Sequence, residues 1–185
     1  NEIELIKKRM NNISKKISSA RKLSKSKIQI GIESAFKNLA LKNSKIDFNL
    51  TESDEFNKNG INNIEVLYKP SEQSSPKLLS KIASGGEKSR ILFALKSILS
   101  KKIDLPTLVF DEIDSGTSGE IANAIGKMMK IMGKKIQIIA ITHLPQVASL
   151  ADYHYKVFKI EKEKNISTNI KKLDTSSRIK EIASM

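Results

Sequence analysis

Asp111 and Glu112 stand side by side directly after the apolar run Thr107-Leu-Val-Phe110. Such a run reads as a buried β-strand, and in an open α/β sheet ligands gather beyond the carboxyl ends of the strands. One carboxylate placed there can hold Mg²⁺, directly or through its water. The next can orient or deprotonate an attacking water. Taken alone, the pattern also describes an exposed acidic turn.

A second group is Ser84-Gly85-Gly86-Glu87. Serine at a helix N-cap with glutamate three residues later forms a capping box. That accounts for Ser84 and Glu87 but not for two glycines in a first helical turn, where each costs roughly 1 kcal/mol against alanine. Bare backbone at a helix N-terminus lets an anion approach the free N–H groups and the positive end of the dipole, so the glycines point to phosphate. The third residue is His143, just beyond the apolar run Ile136–Ile141. An isolated histidine is most simply a solvated loop residue. If the two apolar runs are neighbouring parallel strands, however, Asp111, Glu112 and His143 fall along one sheet edge, where an imidazole can bond a terminal phosphate. His154, between Tyr153 and Tyr155, is assigned no function.

The elements that must position these residues follow from periodicity. Ile3, Ile6, Met10, Ile13, Ile17 and Ala20 are spaced by threes and fours, a heptad stripe that continues loosely through Ile28, Ile32, Phe36 and Leu39. The stripe predicts one long helix over residues 2–43, weakened at Gly31. Ile46–Leu50 and Ile64–Tyr68 alternate as strands, with the turn at 57–63 and a polar loop from Pro70 to Pro76. A helix is expected from Gly86 to Ser100, with Ile91, Leu92, Leu95, Ile98 and Leu99 on one face. A βαβ unit follows, in which Ile121, Ile125, Met128 and Met132 mark the helix and Gly133 stops it. Its connection suits a right-handed parallel crossover. A short helix near 146–151, strands near 153–160 and 166–173, and a helix from Ser176 complete the expected order.

Composition sets outer bounds. The 185 residues are 39% hydrophobic, enough for a core. No apolar run nears the roughly 20 residues of a membrane span, and the N-terminus has no signal-peptide pattern. The chain has no cysteine, which excludes disulfides and Cys-ligated zinc and fits a reducing compartment. The net charge of +13 is compatible with a polyanionic partner. Because all the basic residues but Arg9, Arg21, Arg90 and Arg178 are lysine in an Ile- and Asn-rich chain, drift in composition explains the charge equally well. Lys7, Lys8, Lys15, Lys16, Lys22, Lys25 and Lys27 line the first helix, as a DNA-facing surface or as a solvated face.

The three groups occur in the order and spacing of ABC-type ATPases. Ser84-Gly85-Gly86-Glu87 resembles their signature motif, Asp111-Glu112 the end of Walker B, Asp114 the D-loop aspartate and His143 the switch histidine. More widely, Lys81–Arg90, Phe110–Gly119 and Thr142-His-Leu-Pro-Gln-Val-Ala148 are similar to the RecN family of SMC-like ATPases, most strongly from Lys81 to Asp152. The signature begins with Ala83 where many ABC proteins have leucine, and Lys88 follows it where several relatives are neutral. The resemblance implies an α/β fold, half of an ABC/SMC-type ATPase head whose P-loop NTPase-like sheet lacks the P-loop. A descending coiled-coil arm over 1–43 would lead into a head lobe over 44–185.

The same resemblance implies ATP and Mg²⁺ as ligands. Asp111 would hold the metal, Glu112 would be the catalytic base, and Ser84, Gly85, Gly86 and Glu87 would meet nucleotide held by a second head. Implied partners are an N-terminal RecN portion carrying Walker A, a second head in a homodimer, and DNA, with no membrane partner. The implied role is repair of DNA double-strand breaks by a cytoplasmic, nucleoid-associated protein. No Gly-x-x-x-x-Gly-Lys-Ser/Thr occurs here; Gly126-Lys127 and Gly133-Lys134 lack the upstream glycine and following hydroxyl. The chain is therefore expected to be a fragment or half of a split ATPase, inactive alone. Two rivals are weighed against this reading. One is an ABC transporter nucleotide-binding subunit, disfavoured by the heptad helix and by Leu144-Pro145-Gln146. The other is an SMC-type DNA tether in which turnover matters little.

Overall fold

The computed structural model describes residues 1–185 except Ala83, Ser84, Lys101, Glu112, 114–116, Ser118, Glu163 and Lys164. It divides into two compact units, Asn1–Leu99 and Ser100–Met185.

In the first unit, helix α1 runs from Glu2 to Phe36 without interruption. Gly31 does not break it: Ile98 packs alongside, its Cδ1 3.4 Å from where a Cβ on Gly31 would lie. The helix stops short of the expected residue 43. The chain turns at 37–40, with Ala40 at φ 53°, and this brings Leu39 and Leu41 into the core. The heptad stripe is also only partly buried. Ile3, Ile6, Met10 and Ile13 are exposed, and the helix meets its neighbours through Ser14, Ser18, Ile32, Ala35 and Phe36.

Strands β1 (Lys45–Asn57) and β2 (Gly60–Lys69) form an antiparallel hairpin, longer than the alternating apolar residues suggested. Its tip closes on Gly60, whose φ of 95° suits glycine. A two-residue strand β3 (Lys77–Leu78), not evident in the sequence, pairs with β2 on its other side. Helix α2 (Gly85–Leu99) buries Ile91, Phe93, Ala94 and Ser97. The face expected for it is thus rotated: Leu92 is 42% exposed and Leu99 is also exposed. Ser97 is tolerated inside because its hydroxyl donates to the Ala94 carbonyl at 2.8 Å.

In the second unit, β4 (Thr107–Asp111) and β5 (Gln137–Ile141) pair in parallel, joined through α3 (Gly119–Met132). The expected βαβ unit is present. Its strands are not buried on both faces, however: Phe110 is covered, while Val109 is 50% and Ile141 54% exposed. The inner face closes against α3 and the short helix α4 (Pro145–Ala148), where Phe110, Ile125, Met129 and Val147 gather. Helices α3 and α4 approach closely at Gly126; a Cβ there would lie 2.8 Å from Leu150 Cδ1 and 3.2 Å from the Gln146 carbonyl oxygen. Strands β6 (Tyr155–Lys162) and β7 (Asn165–Lys172) form a second hairpin. The final helix α5 (Thr175–Ser184) is capped by Asp174, which accepts from the Ser177 amide at 2.7 Å. Arg178 fastens α5 to the end of α4 by donating to the carbonyls of Ala148, Ser149 and Ala151.

Candidate functional site

The described candidate residues fall in both units: at the start of α2 in the first, and at the ends of two parallel strands in the second. In the first, Gly85, Gly86 and Glu87 open α2, so the free N–H groups of its first turn lie at the glycine pair. Space stands open at Gly85: nothing lies within 4 Å of a Cβ built there. Ser84 lies outside the described residues. Glu87 accepts from the Tyr68 hydroxyl at 2.6 Å, the length of a charge-assisted O–H···O bond. Tyr68 is 1% exposed, and its oxygen lies 2.8 Å from Ser44 Oγ. Burial pushes the Tyr68 phenol above its ordinary pKa, and the bond to the Glu87 carboxylate adds to that rise. Nothing in the sequence tied Tyr68 to the segment that opens α2, because an aromatic residue in an alternating strand reads as ordinary core.

In the second unit, the parallel register sets Asp111 opposite Ile141, so the two strands end level. Asp111 is exposed at that edge, and His143, also exposed, follows Ile141 by two residues. Thr142 Oγ1 accepts from the Leu144 amide at 3.0 Å, shaping the turn that carries His143 into α4. Glu112 and Asp114 lie outside the described residues. Among the described residues no cluster of three or more His, Asp or Glu could by itself enclose a metal. An exposed carboxylate such as Asp111 suits Mg²⁺, which takes one or two protein oxygens and completes its shell with water and substrate phosphates.

On the basic helix, Lys22 pairs with Glu52 at 2.9 Å and Lys25 with Asp47 at 2.7 Å. Those two lysines are engaged by β1, while Lys7, Lys8, Lys15, Lys16 and Lys27 are exposed. Ser18, Arg21, Asn59 and Asn62 extend the same polar seam between α1 and the hairpin. No described helix is long and apolar enough to cross a membrane.

No family model matches the chain. It is 35% identical over 173 residues to the DNA repair protein RecN of Rickettsia bellii, covering 94% of this chain and 32% of that protein. The chain is homologous to RecN. It spans about a third or less of the length of the curated RecN relatives it matches. Its fold is that of an SMC-type head half. The Smc head domain with a coiled coil and joint from Pyrococcus yayanosii covers 99% of this chain, with a TM-score of 0.71 and 20% identity, over 34% of that structure. A chain from structural work on ATP-driven dimerization and DNA-stimulated activation of SMC ATPases covers 95%, with a TM-score of 0.57 and 19% identity, over 96% of its own length.

Proposed function

We propose that this chain is the signature- and Walker B-bearing part of a RecN-type ATPase head, which hydrolyses ATP in head dimers during repair of DNA double-strand breaks. The observation that carries the reading is the parallel β4–β5 pair, with Asp111 level with Ile141 and His143 just beyond it, in a chain homologous to RecN. Asp111 would hold Mg²⁺, which supplies charge neutralisation on the β- and γ-phosphates. Glu112 would orient and deprotonate the attacking water, and His143 would donate a hydrogen bond to the γ-phosphate. Ser84 and the amides of Gly85 and Gly86 would contact the γ-phosphate of nucleotide held by a second head, with Glu87 completing the motif and Asp114 in the D-loop. The β- and γ-phosphates would be gripped mainly by a Walker A segment from an N-terminal RecN portion, because this sequence contains none. Residues 1–43 would form the base of a coiled-coil arm and 44–185 the head lobe. DNA is the partner of the whole protein in this reading, which places its work in the cytoplasm beside the nucleoid.

The test is ATP hydrolysis by this chain, alone and mixed with a separately made N-terminal portion. Turnover only in the mixture, abolished by Glu112→Gln, is expected. Robust turnover by the chain alone would overturn the half-site assignment.

A further inference from the structure

Glu87 is the first residue of α2 with a side chain able to anchor the turn that begins at Gly85. Gly85 faces open space and carries no side chain, so what holds Glu87 helps to place that turn. One such holder, Tyr68, is itself well fixed. Tyr68 sits on the middle strand of its sheet, paired with Ile46 on one side and Lys77 on the other. Its ring meets Phe36, the last residue of α1, edge-on at 6.3 Å between centroids and 84° between planes. The polarity of its hydroxyl is also determined. A phenol has one proton, and here it goes to the Glu87 carboxylate, which can only accept. Ser44 must then donate towards the Tyr68 oxygen at 2.8 Å, sharing its proton with the Pro70 carbonyl at 3.1 Å. The result is a one-way chain of donors, Ser44 to Tyr68 to Glu87, that ends on the signature segment.

We propose that Tyr68 is a positioning residue for the signature segment: it fixes Glu87, and through it the glycine amides at the head of α2, in the arrangement that receives the nucleotide of a second head. The inference rests on the signature reading above. It places a determinant of turnover on β2, outside the motif itself. Nucleotide affinity, set mainly by Walker A, should not depend on Tyr68, whereas kcat should.

The experiment uses the full-length protein with Tyr68→Phe, Glu87→Ala and the double substitution, measuring kcat, binding of a fluorescent ATP analogue and thermal unfolding. Tyr68→Phe keeps the ring and removes only the hydroxyl. The expected result is a fall in kcat of about tenfold, the scale of a hydrogen bond to a charged group. Analogue affinity should stay unchanged, and the double variant should be no slower than Glu87→Ala alone. Wild-type kcat in Tyr68→Phe with a crippled Glu87→Ala would overturn the role of Tyr68 and leave the signature reading standing. Losses that add in the double variant and track a falling Tm would overturn it too, marking Tyr68 as merely structural. Wild-type turnover in Glu87→Ala would remove the signature reading and this inference together.

Discussion

Residues 1–99 seal an apolar core of their own, while residues 100–185 leave one face of their parallel sheet open. In the first unit Phe36, Ile46, Tyr68, Ile91 and Phe93 are all but inaccessible, enclosed by α1, the β1–β2 hairpin and α2. In the second, α3 and α4 cover one side of β4 and β5, and Val109, Ile139 and Ile141 lie exposed on the other. The candidate residues are divided along the same line. The helix that opens with Gly85-Gly86-Glu87 grows out of the sealed unit, and the acidic strand end belongs to the open one. Apolar composition alone does not distinguish these cases, because both kinds of strand are rich in Ile, Val and Phe.

The sharpest way to break that contrast is to truncate equivalent apolar side chains in the two units. Phe93→Ala is expected to destabilise the chain by about 3–5 kcal/mol, as for a fully enclosed aromatic ring. Val109→Ala should change stability by less than about 1 kcal/mol, since half its surface is already in water. Chemical denaturation reads both, and similar losses would dissolve the distinction. The second unit does have one tightly packed point, the crossing of α3 and α4. Gly126→Ala there should cost about 1–3 kcal/mol, because the new Cβ meets backbone as well as the flexible end of Leu150. A neutral outcome would mean that α4 shifts freely.

Smaller effects separate the polar attachments of the two units. Asp47 is held below the usual carboxylate range first by its hydrogen bond from Lys25, and Glu52 first by that from Lys22. A depressed carboxylate stabilises the fold above its unfolded pKa of about 4, and the contribution disappears as pH falls through the folded value. The α1–hairpin seam should therefore weaken on acidification from about pH 5 to about pH 2, and not between about pH 5 and 8 through these groups. The Tm difference between wild type and Lys22→Ala/Lys25→Ala should shrink over the acid range; a constant difference would show that the pairs contribute nothing. The smallest effect is expected at Asp174, depressed by the Ser177 amide it caps. Asp174→Ala should speed amide exchange in the first turn of α5 and leave exchange in α1 unchanged.

The sequence reading placed the five described α-helices and the βαβ order, mostly because apolar residues recur there at the spacing of the element, but it missed the single 3-10 turn at Leu79–Lys81. It failed where contacts between distant residues set the outcome. The end of α1 depends on a turn that lowers Leu39 and Leu41 into the core, and Lys42-Asn43 give no local stop stronger than the helix before them. The buried face of α2 is offset because Phe93 and Ser97 fill the inside while Leu92 and Leu99 face out. The hairpin is longer than its apolar residues because 51–57 is carried by pairing at Thr51, Glu52 and Asn57, with a register shift between the last two, rather than by burial. Within the candidate site, the neighbouring parallel strands that bring Asp111 and His143 to one edge were expected and are present. Ser84, Glu112 and Asp114 lie outside the described residues. The grip of Tyr68 on Glu87 crosses from a strand to a helix and has no signature in spacing.

Helix α1 holds 35 residues in one unbroken rod, roughly 50 Å long at 1.5 Å per residue. Its attachments run from Ser14 to Phe36, and its first dozen residues touch little. Mechanically the stretch before Ser14 is an overhang on a rod held from Ser14 onward. A tilt of the whole rod by about 5° would carry the Glu2 end through about 4–5 Å relative to Phe36, given the rise per residue. Such a tilt would be shared among the Ser18–Glu52 and Arg21–Asn62 bonds, so a small rotation along the seam would be magnified at the far tip into a movement the size of a side chain.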